Sequence, residues 1–446
     1  QIVRDYATRV RADGGTVEGL ENTITSIKTL NNSDLHDKAS LSLFPSGVTA
    51  GKAYSILPTN GAGDFDVIRS TTKTRTNRLG LIETVAENVS SLNYDIIGGE
   101  PSILLEPQRT NLIAFSEDFN NGNYNTNNST LTTALIINPK NVILAHLFKL
   151  NSGANIGNST EGFNFGNTTS LISATQYTQS IFAKPFGSSV LRLRSNVNAQ
   201  LVDFTLTGNG VAPIITGSLQ RATIELIANG WYRCSWTFTT TSTVPGNRAD
   251  HWTIKTNIAD GVNGLYVFGA QVEQGAHVTS YIPTSGSAVT RNQDTINKTG
   301  IGSDIINPGE GTFYIVVSGI KNEPSLKQIA ITDGTQNNKV IIRFQGGQLR
   351  FLIVGVAQGT LTDVFATSLD ITTLQKCLLK WGPSGQFAFL NGVKYTLTGN
   401  GFLPNTLSGV TFDDNGSINF FYGKCESLQI YKTALTDAEC VTLTTT

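Results

Sequence analysis

The sequence predicts a mainly β chain: a short helical region and an extended connector, followed by two antiparallel β-sandwiches. Three observations carry this. Charged residues are only 15% of the 446, and 44 glycines with many Asn, Thr and Ser take their place, the composition of a turn-rich β protein. Short runs alternate apolar and polar residues at period two, as in WYRCSWTF at 231–238, which is the pattern of a half-buried strand. Turn signals separate these runs, the strongest being Asn391-Gly392 in GQFAFLNGVKYTL,.

In chain order, residues 1–43 read as helical. Val3, Tyr6 and Val10 recur at three and four residues, and DGG at 13–15 interrupts the pattern. Val17, Leu20, Ile24 and Ile27 then follow at 3-4-3 spacing. That seam spans two heptads, so it serves either as packing on the next domain or as an oligomer contact. Residues 44–114 alternate β-prone runs with Gly, Pro and Asn turns and read as an extended β-rich connector,. Within it stands LLEPQRTNLI at 104–113. Pro107 holds Glu106 extended, which sets Glu106 beside Arg109 as a bonded joint, with Asn111 satisfying turn backbone. This stretch is expected to be a structural seam.

Residues 115–292 read as a jelly roll. In 231–238, Tyr232, Cys234, Trp236 and Phe238 fall on the inner face, and Trp231, Arg233, Ser235 and Thr237 on the outer. LYVFGAQVEQG repeats the design, with Tyr266, Phe268, Ala270 and Val272 in and Gln271 and Glu273 out. VLRLRS sets Leu191 and Leu193 against Arg192 and Arg194. The polar, Gly-rich residues 293–310 read as a linker. Residues 311–446 form the second sandwich, with hairpins turning at Gly346-Gly347 and Asn391-Gly392 and Trp381 packed inside. A last strand and short helix close it, with Thr436 and Glu439 placed as a capping box,.

Several function classes are disfavoured. The formal net charge is −1 and no Lys/Arg block offers a basic face for nucleic acid,. Cys234, Cys377, Cys425 and Cys440 form no C-x-x-C pair, so zinc spacing is absent and they read as buried thiols,. No apolar run reaches the roughly 18–20 residues of a membrane span, and no signal peptide is visible. The chain starts at Gln1 without any methionine, so the initiator was removed or lies upstream. FDDNG offers Asp413, Asp414 and Asn415 as oxygen ligands, but the spacing is not that of an EF-hand and reads as a turn with solvated carboxylates. No cofactor or metal is expected. Glycoside hydrolysis needs paired carboxylates, and Glu106, Glu117 and Asp118 are not set on one strand face. There is no G-x-S-x-G elbow, and the four histidines are scattered and read as solvent-facing or loop residues. No catalytic residue is assigned.

Sugar binding needs exposed aromatic faces flanked by hydrogen-bonding groups. Trp231 and Arg233 share the outer face of one strand, and His251 and Trp252 open another. These four are the candidate carbohydrate contacts. Trp231 and Trp252 also suit cover of a sheet edge or of a contact between domains or subunits.

Four segments carry a resemblance: RVRADGGTVE, AGKAYSILPTNGAGDFDVIRSTTKTRTNRLGLIETV, PSILLEPQRTNLIAFSEDF and FGAQVEQGAHVTSYIPTSGSAVTR. In order, they resemble a family of bacteriophage virion appendage proteins, head-fibre or tail structural components of phages of Bacteroidota. The 115–290 block is similar to carbohydrate-binding jelly rolls. The ending LQIYKTALTDAE resembles the laminin-G/concanavalin-A-like sandwich, although the Glu-x-Asp-x-x-Glu strand of the hydrolases of that fold is missing. The resemblance implies a non-enzymatic structural protein on the virion exterior and a homo-oligomer, commonly a trimer. Capsid, collar or tail proteins would be its partners, with host surface polysaccharide as a candidate ligand. It supplies no site residues. A virion polysaccharide depolymerase and a secreted lectin-like adhesin are the alternatives.

Overall fold

The computed structural model describes residues 2–19, 33–95, 99–121, 124–154, 161–165, 170–194, 201–216, 221–240, 251–254, 259–321, 325–355, 360–366, 369–398, 404–415 and 418–445. The chain is mainly β, and among the described residues the strand ladders pair antiparallel, with two isolated bridges parallel. It divides into two compact units. The first holds Gln1–Thr72, Val85–Pro107 and Gln293–Thr446. The second holds Lys73–Thr84 and Gln108–Asn292.

The described strands of the first unit form a ten-stranded and an eight-stranded sheet. Their facing sides share one core, with Ile329, Ile331, Val340 and Ile342 from the larger sheet and Phe313, Ile315, Val317 and Leu379 from the smaller. Two expected hairpins form. Asn391 and Gly392 both have positive φ between the paired Leu390 and Val393, and Gly346-Gly347 turns likewise between Gln345 and Gln348. Two-residue turns of this kind match the twist of the strands they join. Trp381 is buried in this core and its Nε1 donates to Pro308 O at 3.1 Å. The closing helix Asp437–Thr445 starts with the expected capping box: Thr436 N–H donates to Glu439 Oε2 at 2.8 Å, and Glu439 N–H donates back to Thr436 Oγ1 at 3.3 Å. With helix Ser33–Lys38, and with Leu435 just before its own start, it covers the outer face of the smaller sheet through Leu35, Cys440 and Leu443 against Tyr314, Leu378 and Phe389.

The helical reading of the N-terminus holds for Ile2–Ala12, whose Tyr6 and Val10 pack on Phe44, Tyr54 and Ile56. It does not hold for Val17. Thr16–Val17 is a strand paired with Gly47 and Val48, because β-branched Thr and Val after a Gly-Gly break suit an edge strand better than a helix start. Leu20, Ile24 and Ile27 lie outside the described residues.

The connector and linker readings are corrected. Residues 44–114 are not a separate extended segment. Gly47–Thr49, Lys52–Ala53 and Phe65–Ile68 join the ten-stranded sheet, Leu92–Tyr94 and Pro101–Leu105 join the eight-stranded one, and residues 73–84 belong to the second unit. Nor are residues 293–310 a linker. Thr295–Lys298 pairs with Phe65–Ile68 on one side and Gly409–Thr411 on the other, and Ile296, Ile301, Ile305 and Ile306 are core. Such short strands look like loops in sequence because two to five residues are too few to show a period and their hydrogen bonds are non-local,.

The described strands of the second unit form a sandwich of two six-stranded sheets, between which the chain passes repeatedly, and two two-stranded ribbons. Tyr232, Cys234, Trp236 and Phe238 fill its core, with Leu191 and Leu193 from the opposite sheet. The reading of Gly264–Gln274 is corrected in its first half, and Gln271 and Glu273, expected to point out, are fully buried. Leu265 and Val267 face the core along with Ala270 and Val272, whereas Phe268 belongs to a second cluster, with Tyr266 packed against it. The parity flips at a β-bulge, where Gln271 pairs with Ser180 but Phe268 pairs with Phe182. Gly269, with φ of 62°, supplies the backbone conformation that the extra residue needs,.

A candidate ligand cavity in the first unit

The four carbohydrate candidates do not form an exposed platform. Trp231 is fully buried, and its Nε1 donates to Ile137 O at 2.9 Å. It packs with Phe182, Phe268 and Tyr281 under Ile82, which the Lys73–Thr84 segment brings onto this face. Arg233 is buried as well, its guanidinium 5.4 Å from the Phe182 ring centroid and its Nη2 donating to Ser180 Oγ at 3.2 Å. The strand is covered on both faces, which period-two alternation alone does not report. His251 and Trp252 lie in strand His251–Ile254, paired through the backbone with Asn164 and Phe163 on one side and with Arg194 and Leu193 on the other. This strand belongs to the sheet opposite that of Trp231. The histidine reading is corrected for His36 and His146, which are buried in a helix and a strand, whereas His277 lies in a loop as expected but is buried.

The seam residues separate. Glu106 is buried in the first unit, where its N–H donates to Asp294 Oδ2 at 2.9 Å. Asp294 also takes Arg69 Nη1 at 2.8 Å, a fully buried ion pair in which Arg69 donates as well to the Thr71, Val89 and Ala86 carbonyls. Arg109 belongs to the second unit. Its ion partner is Glu273, with Nε 3.7 Å from Oε2, rather than Glu106. The chain leaves one unit at Pro107 and is in the other at Gln108, so nearness in sequence does not set this pairing. Asn111 is fully buried and uses its whole amide: Nδ2 donates to Ala270 O and Ile282 O, and Oδ1 accepts from Ile113 N–H and Val272 N–H. Glu117 is in the second unit, paired with Lys140 at 2.9 Å.

A cavity of about 230 Å³ opens instead in the first unit, where Thr295–Lys298, Gly409–Thr411 and Lys327–Thr332 lie side by side. The register sets Asn297 opposite Thr411 and Gly409 opposite Thr332. A Cβ at Gly409 would come within 2.8 Å of Lys298 O, so this close approach needs glycine,. Two turns close the walls, Asp333-Gly334 after one strand and Asp413–Asn415 after another. Asp333 accepts four hydrogen bonds, from Thr335 N–H and Oγ1, Asn338 Nδ2 and Thr406 Oγ1. Partial burial pushes its pKa up, but these donors outweigh it and hold the carboxyl below its ordinary value,. Asp413 is 7% exposed. Its Oδ1 accepts from Thr411 Oγ1 and from Asn415 N–H at 2.6 Å.

Eight of the twelve lining residues carry a carboxylate, amide or hydroxyl group, beside Lys298, Val410 and two glycines, and none has an aromatic ring. Such a set both donates to and accepts from a polar ligand. Among the described residues, no three or more His, Cys, Asp and Glu side chains cluster as metal ligands would. In sequence, FDDNG was visible as an oxygen-rich turn, but Asp413 is buried rather than solvated. ITDGTQNN carried an equal signal, an Asp-Gly turn with following amides, yet only the sheet order brings it beside Asp413.

No protein-family model matches the chain, and no curated protein matches it. Solved structures overlap it in part. The carbohydrate-binding module CBM40 of the Ruminococcus gnavus IT-sialidase, bound to α2,3 sialyllactose, is 14% identical over 31% of this chain and 84% of that one, with a TM-score of 0.27. The botulinum neurotoxin serotype D binding domain is 10% identical over 34% and 40%, with a TM-score of 0.28. The NanB sialidase of Streptococcus pneumoniae is 12% identical over 31% and 24%, with a TM-score of 0.27.

Proposed function

We propose that this chain is a non-enzymatic structural component of a phage particle, an exterior appendage that binds sugars of the host surface. The observation that carries the sugar-binding part is the cavity of the first unit. It is concave, rich in amide, hydroxyl and carboxylate groups, and framed by paired strands that hold those groups in place,. The ordered phage-like segments of the sequence support virion placement, and a homo-oligomer of three chains goes with it. One observation favours a depolymerase, namely that Asp333 and Asp413 line the same cavity. Against it, the hydrogen bonds to Asp333 favour the ionised form, whereas cleavage needs one carboxyl to be held protonated.

Two experiments test the proposal. Purified virions are probed for the chain by mass spectrometry and imaging, and the isolated protein is applied to a glycan array and sized by light scattering. The chain is expected in the particle, as a trimer, with sugar binding and no new reducing ends from host capsule. Absence from virions together with sugar binding would replace the appendage by a secreted adhesin. New reducing ends would replace it by a depolymerase.

A further inference from the structure

We propose that the cavity of the first unit admits uncharged sugars and turns away carboxylated ones, with Asp413 Oδ2 as the acceptor that fixes a sugar hydroxyl. This rests on the cavity being a sugar site and adds the class of sugar. Asp413 is more than nine-tenths buried and lines the cavity. Its Oδ1 is occupied by Thr411 Oγ1 and Asn415 N–H. Among the described residues nothing donates to Oδ2, and no Lys or Arg makes an ion pair with it. A carboxylate oxygen so placed accepts hydrogen bonds only, and leaving it unpaired on desolvation is costly. The ligand that completes it must bring a donor.

The remaining lining sharpens the choice. Two carboxylates, Asp333 and Asp413, line the cavity with one ammonium, Lys298. The nearby ammonium of Lys339 is committed to Gln336 Oε1 and the Asp414 carbonyl. A carboxylated sugar would add an acceptor-only group and a third negative charge to a partly desolvated space, where like charges repel more than in water. Hydroxyls of an uncharged sugar meet Asp413 Oδ2 as donors. They meet the side chains of Asn297 and Asn415, which make no hydrogen bond with described residues, as donors and acceptors.

The intact protein is titrated with lactose, N-acetylglucosamine and sialylated lactose, and separately with calcium chloride alone, following binding by ligand-observed NMR and calorimetry. An uncharged sugar is expected to bind, with sialylated lactose weaker than lactose by about tenfold or more, a clear margin on the free-energy scale of affinity. Asp413→Asn keeps the shape and an oxygen for the Thr411 bond but turns Oδ2 into a donor. It should weaken the uncharged sugar by about tenfold without moving the melting temperature. Asn297→Ala is the second variant, expected to weaken the same sugar without touching a described hydrogen bond. Tighter binding of sialylated lactose overturns this inference and leaves the sugar site standing. Uncharged-sugar binding unaltered by both variants, or calcium binding that Asp413→Asn abolishes, overturns the role of Asp413. No binding of any sugar overturns the sugar-site reading and this inference with it.

Discussion

Asn111 shows how much a single side chain can fix. Its amide satisfies two carbonyls and two N–H groups on three separate stretches of the second unit. Asn111→Ala would strand all four in a dry interior, and a loss of about 2–4 kcal/mol is expected, read as a lowered denaturant midpoint. Glu426 is a different case. Burial pushes its carboxyl up to about 7, with the charge of Asp95 adding to this; Lys424 opposes it, Glu100 adds and Lys376 opposes. A folded pKa above the unfolded one means that the folded state binds the extra proton between about pH 4.5 and 7, so stability falls as pH rises through that window,. Glu426→Gln should therefore stabilise the protein by about 1–3 kcal/mol at pH 8 and leave it nearly unchanged at pH 4. Melting temperatures at the two pH values check this, and equal effects at both would refute it.

Among the elements, strand Trp231–Thr239 separates what sequence encodes from what it omits. Its alternation placed Tyr232, Cys234, Trp236 and Phe238 in the core, and they are there. The same alternation called the other face outer, whereas Trp231 lies in a second apolar cluster. A period of two reports that a strand has two faces, but not what covers each of them. Trp231→Ala should consequently cost about 3–5 kcal/mol and leave sugar affinity of the folded protein unaltered, measured by melting temperature and titration side by side. In Gly264–Gln274 the alternation broke at Gly269. A lone glycine within a strand is the cue for a bulge, and here it was the one sign that the parity would change.

For the whole molecule, the β class and the hairpins of residues 311–446 were legible because their signals are local. The unit boundaries were not. The chain crosses between units at 72/73, 84/85, 107/108 and 292/293, and strands such as Thr295–Lys298 find partners more than a hundred residues away on both sides. No window of sequence contains such a pairing. Of the cavity only the oxygen-rich turn at Asp413 was visible, and it read as solvated; the residues that surround it come from other strands. One consequence concerns fragments. A piece covering 115–292 lacks residues 73–84, and so loses Ile82 from the cluster around Trp231, Phe268 and Tyr281. It also loses strand Arg109–Asn111. Expressed alone, it should bind a hydrophobic dye and melt below the intact protein. A fragment as stable as the whole would show that these additions are dispensable.

The ribbon made by Arg109–Asn111 and Val289–Arg291 has a mechanical consequence. These strands are the first and last of the long insertion, and they are paired in register, with Thr110 and Thr290 hydroxyls 2.8 Å apart. Tension pulling the chain through Gln108 and Asn292 therefore enters the second unit at two adjacent points. It would peel this short ladder one bond at a time, without shearing the long strands of the sandwich. Once the ladder opens, Asn111 is the next tether, because its amide ties the first of those strands to Ala270 and Ile282. The insertion carries its own fuse at its base.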